Sequence, residues 1–141
     1  MGTNTAAAPG AQLYHTAQIH YLRKDFTFAN TTAVPLHVGV VPAGSVILKA
    51  LSGVDVQVAF TAATNHRMDI GTPANDDLYG TDLALETIAF VPLDEAVTFK
   101  VAVDTTIIAT PDLTGATNTA GEGTVIIAYI PDLGAPASNV T

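Results

Sequence analysis

The chain has 141 residues and a mass of 14.5 kDa, enough for one domain with a sizeable core and too few for two independent cores. Apolar residues make up 48% of it and charged residues only 13%, about half the roughly 25% usual in soluble domains, which excludes intrinsic disorder. The net charge of −8 is uneven: up to Met68, Arg23, Lys24, Lys49 and Arg67 face Asp25 and Asp55, whereas from Asp69 onward Lys100 alone faces eleven acids.

That balance makes nucleic acid a poor partner, because backbone binding needs clustered Lys or Arg that release counterions. With no cysteine, disulfides, thiolate metal sites and cysteine nucleophiles are excluded as well. The opening MGTNTAAAPGAQ has neither a basic nor an apolar region, so it does not read as a secretory signal. Ala6 stands where N-myristoylation wants Ser or Thr. The most apolar stretch, Val34 to Phe60, is broken by Pro35, Pro42, Lys49 and Asp55 and does not read as a membrane span.

Along the chain the dominant period is two. Residues 1–12 are small and without period and read as an extended arm. The strand-like runs begin with AQIHYL from Ala17 and DFTFAN from Asp25, followed by PLHVGVV from Pro35. SVILKAL from Ser45 is continuously apolar and reads as a strand buried on both faces. VDVQVAF alternates, with Val54, Val56, Val58 and Phe60 expected inward; HRMDIG sets His66, Met68 and Ile70 against Arg67 and Asp69.

NDDLYGTDLALETIAF, with Gly80 inside it, reads as a long loop with one helical turn, ending in a short strand TIAFV from Thr87. VTFKVAVD is expected to be a strand with Val97, Phe99, Val101 and Val103 inward. TTIIAT from Thr105 and TVIIAYI from Thr124 read as strands covered on both faces, with Gly121 to Gly123 as the turn before the last. Residues 131–141 read as a tail, leaving 13–130 for the folded domain. About nine short strands punctuated by Pro and Gly turns predict an all-β sandwich or barrel.

The chemistry inventory is short. Ser45, Ser52 and Ser138 lie in no nucleophile elbow, and Gly121-Glu122-Gly123 precedes a strand rather than a helix, so it is no phosphate loop. His15, His20, His37 and His66 show no metal-ligand spacing and read as surface or interface residues. Met68 to Asp77 holds Asp69, Asn75, Asp76 and Asp77, oxygen donors of the kind calcium takes, but without the order of an EF-hand loop; a loop closed by local turns is the expectation. Glu86, Glu95, Glu122 and ten Asp give no defined carboxylate pair, and no Trp is present to stack a sugar. Asn30-Thr31-Thr32 and Asn139-Val140-Thr141 match the glycosylation sequon, which matters only in a secretory pathway. The residues argue for a structural or binding role over an enzyme, with a low-charge surface suited to lying against other chains.

The succession VPAGSVILKALSGVDVQVAF, NHRMDIGTPANDD, VTFKVAV and TAGEGTVIIAYI resembles small structural proteins of tailed bacteriophages, over roughly Val41 to Ile130. The resemblance implies a head decoration (cement) or head-fibre protein with a jelly-roll-like antiparallel β-sandwich, set as a homotrimer on the outer surface of the capsid. Its implied partners are the major capsid protein and copies of itself, with no nucleic acid, membrane, cofactor or metal. In that role the protein bridges seams between capsid subunits and opposes the pressure of packaged DNA. The arm and the run after it, with Tyr14, Tyr21, Arg23 and Lys24, are the expected contacts to capsid or neighbouring subunits, since aromatics and Arg lead such interfaces. A neck or tail component, a carbohydrate-binding module and a hydrolase with converging Asp, Glu and His are the alternatives.

Overall fold

A computed structural model of the chain describes residues 18–30 and 32–132; the expected arm 1–12 and all but the first two residues of the expected tail 131–141 lie outside them. The described strands are β1 (His20–Thr27), β2 (Leu36–Val41), β3 (Val46–Ile47), β4 (Gly53–Val58), β5 (Asn65–Thr72), β6 (Asn75–Ala84), β7 (Phe90–Pro92), β8 (Thr105–Thr114) and β9 (Glu122–Ile130). One sheet runs β1-β9-β4-β7, with β3 paired to β9 beyond the end of β4; the other runs β2-β8-β5-β6. Every ladder is antiparallel, and most successive strands cross from one sheet to the other. This strand order is that of a jelly roll, so the expected all-β sandwich is the fold. Among the described residues no helix is long and apolar enough to cross a membrane.

The period-two pattern supplies the core. Phe26, Val41, Val54, Val56, Met68, Ile70, Ile107, Val125 and Ile127 point between the sheets and are buried. Phe26 and Phe60 stack with ring centroids 5.2 Å apart. They fill space left by glycines: a Cβ on Gly121 would overlap the Phe60 ring, and one on Gly123 would come within 2.9 Å of Phe26. Gly121-Glu122-Gly123 is thus no turn of its own; β9 already begins at Glu122, and Gly123 pairs with Phe26 and Val56.

Five further expectations change in the structure. AQIHYL and DFTFAN join in one strand, β1. The supposed loop after Asn75 is the ten-residue strand β6, paired with β5 along its length. Its irregularity is a bulge: Asp82 has φ 53, and the bulge amides are taken up by carboxylates, Asp82 N–H donating to Asp69 (2.7 Å) and Thr81 N–H to Asp94 (3.0 Å). SVILKAL forms only two strand residues before a 3-10 turn at Lys49–Leu51. VTFKVAVD makes a single bridge, Val46 to Lys100, because β3 is too short to carry a ladder; Val103, expected inward, is 68% exposed. A further bulge after Val56 turns Val58 outward, so the alternation from Val54 breaks before Phe60.

Both described ends of the chain lie at one end of the sandwich. His20 pairs with Tyr129, Val46 with Ile130, and Gly44 sits against Asp132. The β1–β2, β4–β5, β6–β7 and β8–β9 connections gather at the opposite end. There Thr61 is a hub: its hydroxyl donates to Thr117 C=O (2.8 Å) and accepts from the N–H groups of Thr119 and Ala120 (3.0 Å each).

Candidate interaction surface

The outer face of the β1-β9-β4-β7 sheet divides into two halves. Side chains of β1 alternate, so Tyr21, Arg23 and Asp25 point outward while Leu22 and Phe26 point in. Their partners on β9 are Ala128, Ile126 and Thr124. Thr124 in turn faces Asp55 on β4, and Asp55 faces Phe90 on β7.

The half toward Thr124 is polar and tied together across three strands. The Thr124 hydroxyl donates to Asp25 (2.8 Å) and accepts from Gln57 Nε2 (3.0 Å), which also reaches Asp55 (3.3 Å). Arg23 Nε donates to Asp25 at 3.3 Å. The Thr124 hydroxyl and then the Arg23 guanidinium hold the Asp25 carboxyl below the ordinary Asp value.

The half nearer the chain ends is apolar. Tyr21 is 69% exposed, and Val46 and Ile130, paired with each other, are 40% and 37% exposed. Ile19, one residue before β1, is 45% exposed; Ile126 is half-buried and Pro92, opposite Gly53, is exposed. The sheet over β8 and β5 is polar outside by contrast, with Asn65 donating to Asp112 (2.8 Å) and Arg67 paired with Asp82 (3.0 Å).

All four sheet edges are blunted. The edge of β1 carries Arg23-Lys24-Asp25, β2 has a register break between His37 and Gly39, β6 has its bulges, and β7 is three residues ending in Pro92. Charges, bulges, short strands and proline each oppose addition of a further strand. Faces and ends are left as the contact surfaces.

Of the residues singled out in the sequence, Tyr21 and Arg23 share the outer face of β1, whereas Lys24 alternates to the side of Leu22 and Phe26 with its amine reaching solvent. Tyr14 lies outside the described residues. The sequence reading missed Val46, Ile126 and Ile130 as surface residues, because continuous apolar runs look alike whether both faces are covered or one is open. It also missed the Thr124 network, whose members are far apart in the chain.

The acids are used one by one. Asp104 accepts from Ala43 N–H (2.9 Å), Asp94 and Asp69 serve the β6 bulge, and His66 pairs with Glu86. Burial pushes the Asp69 carboxyl up, and the carboxylates of Asp82, Asp76 and Asp77 add to this, while the Asp82 N–H works against it. The MDIGTPANDD segment is therefore a hairpin, closed by the Thr72 hydroxyl accepting from Asn75 N–H (3.2 Å). Among the described residues no group of three or more His, Asp or Glu is placed to hold a metal ion.

No family model and no curated protein sequence matches the chain. Two solved structures match its fold. A chain of the "Cyanophage Pam1 capsid asymmetric unit" has a TM-score of 0.60 and 21% identity, covering 82% of this chain and 84% of that one. A chain of the "Acidic stable capsid structure of Helicobacter pylori bacteriophage KHP30" has a TM-score of 0.59 and 14% identity, covering 79% and 86%. Near-equal coverage on both sides means that the matched chains are about as long as this one. The fold of about four-fifths of this chain is thus shared with chains of two phage capsid structures.

Proposed function

We propose that the chain is a structural protein of a phage particle, without enzymatic activity, that binds the outer surface of the capsid as a homotrimer. There it strengthens contacts between major capsid protein subunits. The observation that carries this reading is the jelly-roll match, over about four-fifths of the chain, to two chains of similar length in capsid structures. The surface supports it: edges are blunted, one sheet face is half apolar, and the acids described above are paired one by one with backbone amides or single side chains. Tyr21 and Arg23, with Lys24 and Tyr14, make contacts to the shell or to a neighbouring subunit. Covering the roughly 40% of Val46, Ile130 and Ile19 that is still exposed contributes on the order of 1 kcal/mol each, so a few per copy, multiplied over the shell, stabilise the assembled state.

The test is co-sedimentation of the purified chain with capsid shells that lack it. Saturable binding and a raised shell disruption temperature are expected, with a solution mass near three times 14.5 kDa. Failure to bind shells, or localisation of the protein to neck or tail by cryo-electron microscopy, overturns the decoration role.

A further inference from the structure

The two long sides of the sandwich differ in charge. On one, the edge strands β1 and β2 lie together, with Leu22 packed over Gly39. On the other, β6 and β7 lie together, and the Glu95 N–H donates to the Tyr79 carbonyl (3.3 Å), tying the segment after β7 to the edge of β6. Residues 18–41, which hold β1 and β2, carry Arg23 and Lys24 against a single acid, Asp25; residues 69–95, which hold β6 and β7, carry seven acids and no Lys or Arg.

Most of these charges are matched within the chain. Arg23 pairs with Asp25, Arg67 with Asp82 and His66 with Glu86, while Asp69 and Asp94 accept from backbone amides. Left over among the described residues are Lys24 on one side and Asp76, Asp77 and Glu95 on the other, none of them in an ion pair. Lys24 and Asp76 are exposed, Asp77 and Glu95 half-buried. Each side also has exposed apolar side chains, Val34 and Val40 by β2 and Ile88 and Phe90 by β7.

The unmatched charges decide how copies can meet along these sides. A two-fold contact sets one side against itself, opposing acid to acid or base to base, and like charges facing each other across an interface are costly. Setting the β1/β2 side of one copy against the β6/β7 side of the next opposes unlike charges and covers apolar residues of both. Exposed ion pairs contribute little each, so charge selects the orientation while the apolar residues supply the attraction. Such a contact between two different sides is satisfied in every copy when a ring closes.

We propose that copies of this chain associate side by side, the β1/β2 side with Lys24 lying against the β6/β7 side with Asp76, Asp77 and Glu95 of the next copy. The contact rests on the self-association within the proposed function and names the surfaces that make it; the shell plays no part in it.

The test is sedimentation velocity on the purified full-length chain without shells, with the fold of each variant checked by circular dichroism. Lys24→Glu should associate about ten-fold more weakly than the unaltered chain, as should Asp77→Lys/Glu95→Lys, and about 0.5 M salt should weaken the unaltered chain. Asp77→Asn/Glu95→Gln, which keeps size and removes only charge, should be about three-fold weaker. The chain carrying Lys24→Glu, Asp77→Lys and Glu95→Lys together has the signs of both sides exchanged, and its association should return to within about three-fold of the unaltered chain. Association indifferent to Lys24→Glu overturns the proposal, as does a loss in the separate variants that the combined one does not restore. An unaltered chain found as a two-fold dimer overturns it too. A monomeric unaltered chain removes the homotrimer along with this contact, whereas a trimer indifferent to every change removes this contact alone.

Discussion

The Ser52 hydroxyl takes the place of a strand residue opposite Ala128. It donates to the Ala128 carbonyl at 3.2 Å and accepts from the Ala128 N–H at 2.9 Å, both in the buried interior. The 3-10 turn at Lys49–Leu51 interrupts the line of β3 and β4 beside β9, and the serine restores the missing rung. Ser52→Ala leaves the Ala128 N–H without its partner, whereas the carbonyl keeps the Leu48 N–H at 2.8 Å. The expected loss is about 1–3 kcal/mol in urea unfolding. A change below about 0.5 kcal/mol would show that water fills the place of the hydroxyl.

Gly121→Ala should be more costly than an ordinary surface substitution. Its φ of 148 is a conformation that side chains rarely adopt, and the new Cβ would overlap the buried Phe60 ring. A loss of about 1–3 kcal/mol is expected from overpacking. Because the clash is with one ring, Gly121→Ala combined with Phe60→Leu should lose less than the sum of the two. Strict additivity in that cycle would mean that backbone strain alone accounts for the effect.

Two aspartates should titrate with opposite sign. Asp25 binds its proton less readily in the fold than when unfolded, so its contribution is present above pH 3.8 and disappears as pH falls through its lower folded value. Asp69 binds its proton more readily in the fold, so its contribution is full below pH 3.8 and is lost as pH rises through its higher folded value. Asp69→Asn keeps an oxygen for the Asp82 N–H and removes the repulsion from its acidic neighbours. It should raise the melting temperature at pH 7 and give progressively less as pH approaches 3.8. Thr124→Val should raise the Asp25 pKa seen by NMR toward its ordinary value; an unmoved titration would rule out the hydroxyl as the main cause.

Deleting residues 1–12 should weaken shell binding and leave the sandwich folded, since the described strands begin only at His20. Unchanged binding with an unchanged melting curve would remove the N-terminal segment from the contact.

The strands most legible in the sequence are those whose alternation is set by burial, such as β5, where Met68 and Ile70 are both fully buried. The β6 strand was hidden because Asp76, Asp77 and Gly80 signal a loop locally, and only the distant carboxylates of Asp69 and Asp94 show that its bulge is stabilised. Val97 to Val103 fails in the opposite way. Its pattern is that of a strand, but pairing depends on a partner, and the chain beside it turns into a 3-10 segment after Ile47. The candidate surface was half legible: Tyr21 and Arg23 stand out as exposed residues on β1, while the strip formed by Val46, Ile126 and Ile130 exists only once β3 and β9 are brought together.

The convergence of both described chain ends on one end of the sandwich gives the domain a head and a foot. Passenger sequences joined directly to Gln18 or Asp132 would start at the foot, where they compete with whatever the apolar strip contacts. A peptide spliced between Thr87 and Ile88, in the exposed β6–β7 connection, would ride at the head instead, clear of that strip. Under the proposed capsid role, that connection is the place to mount cargo.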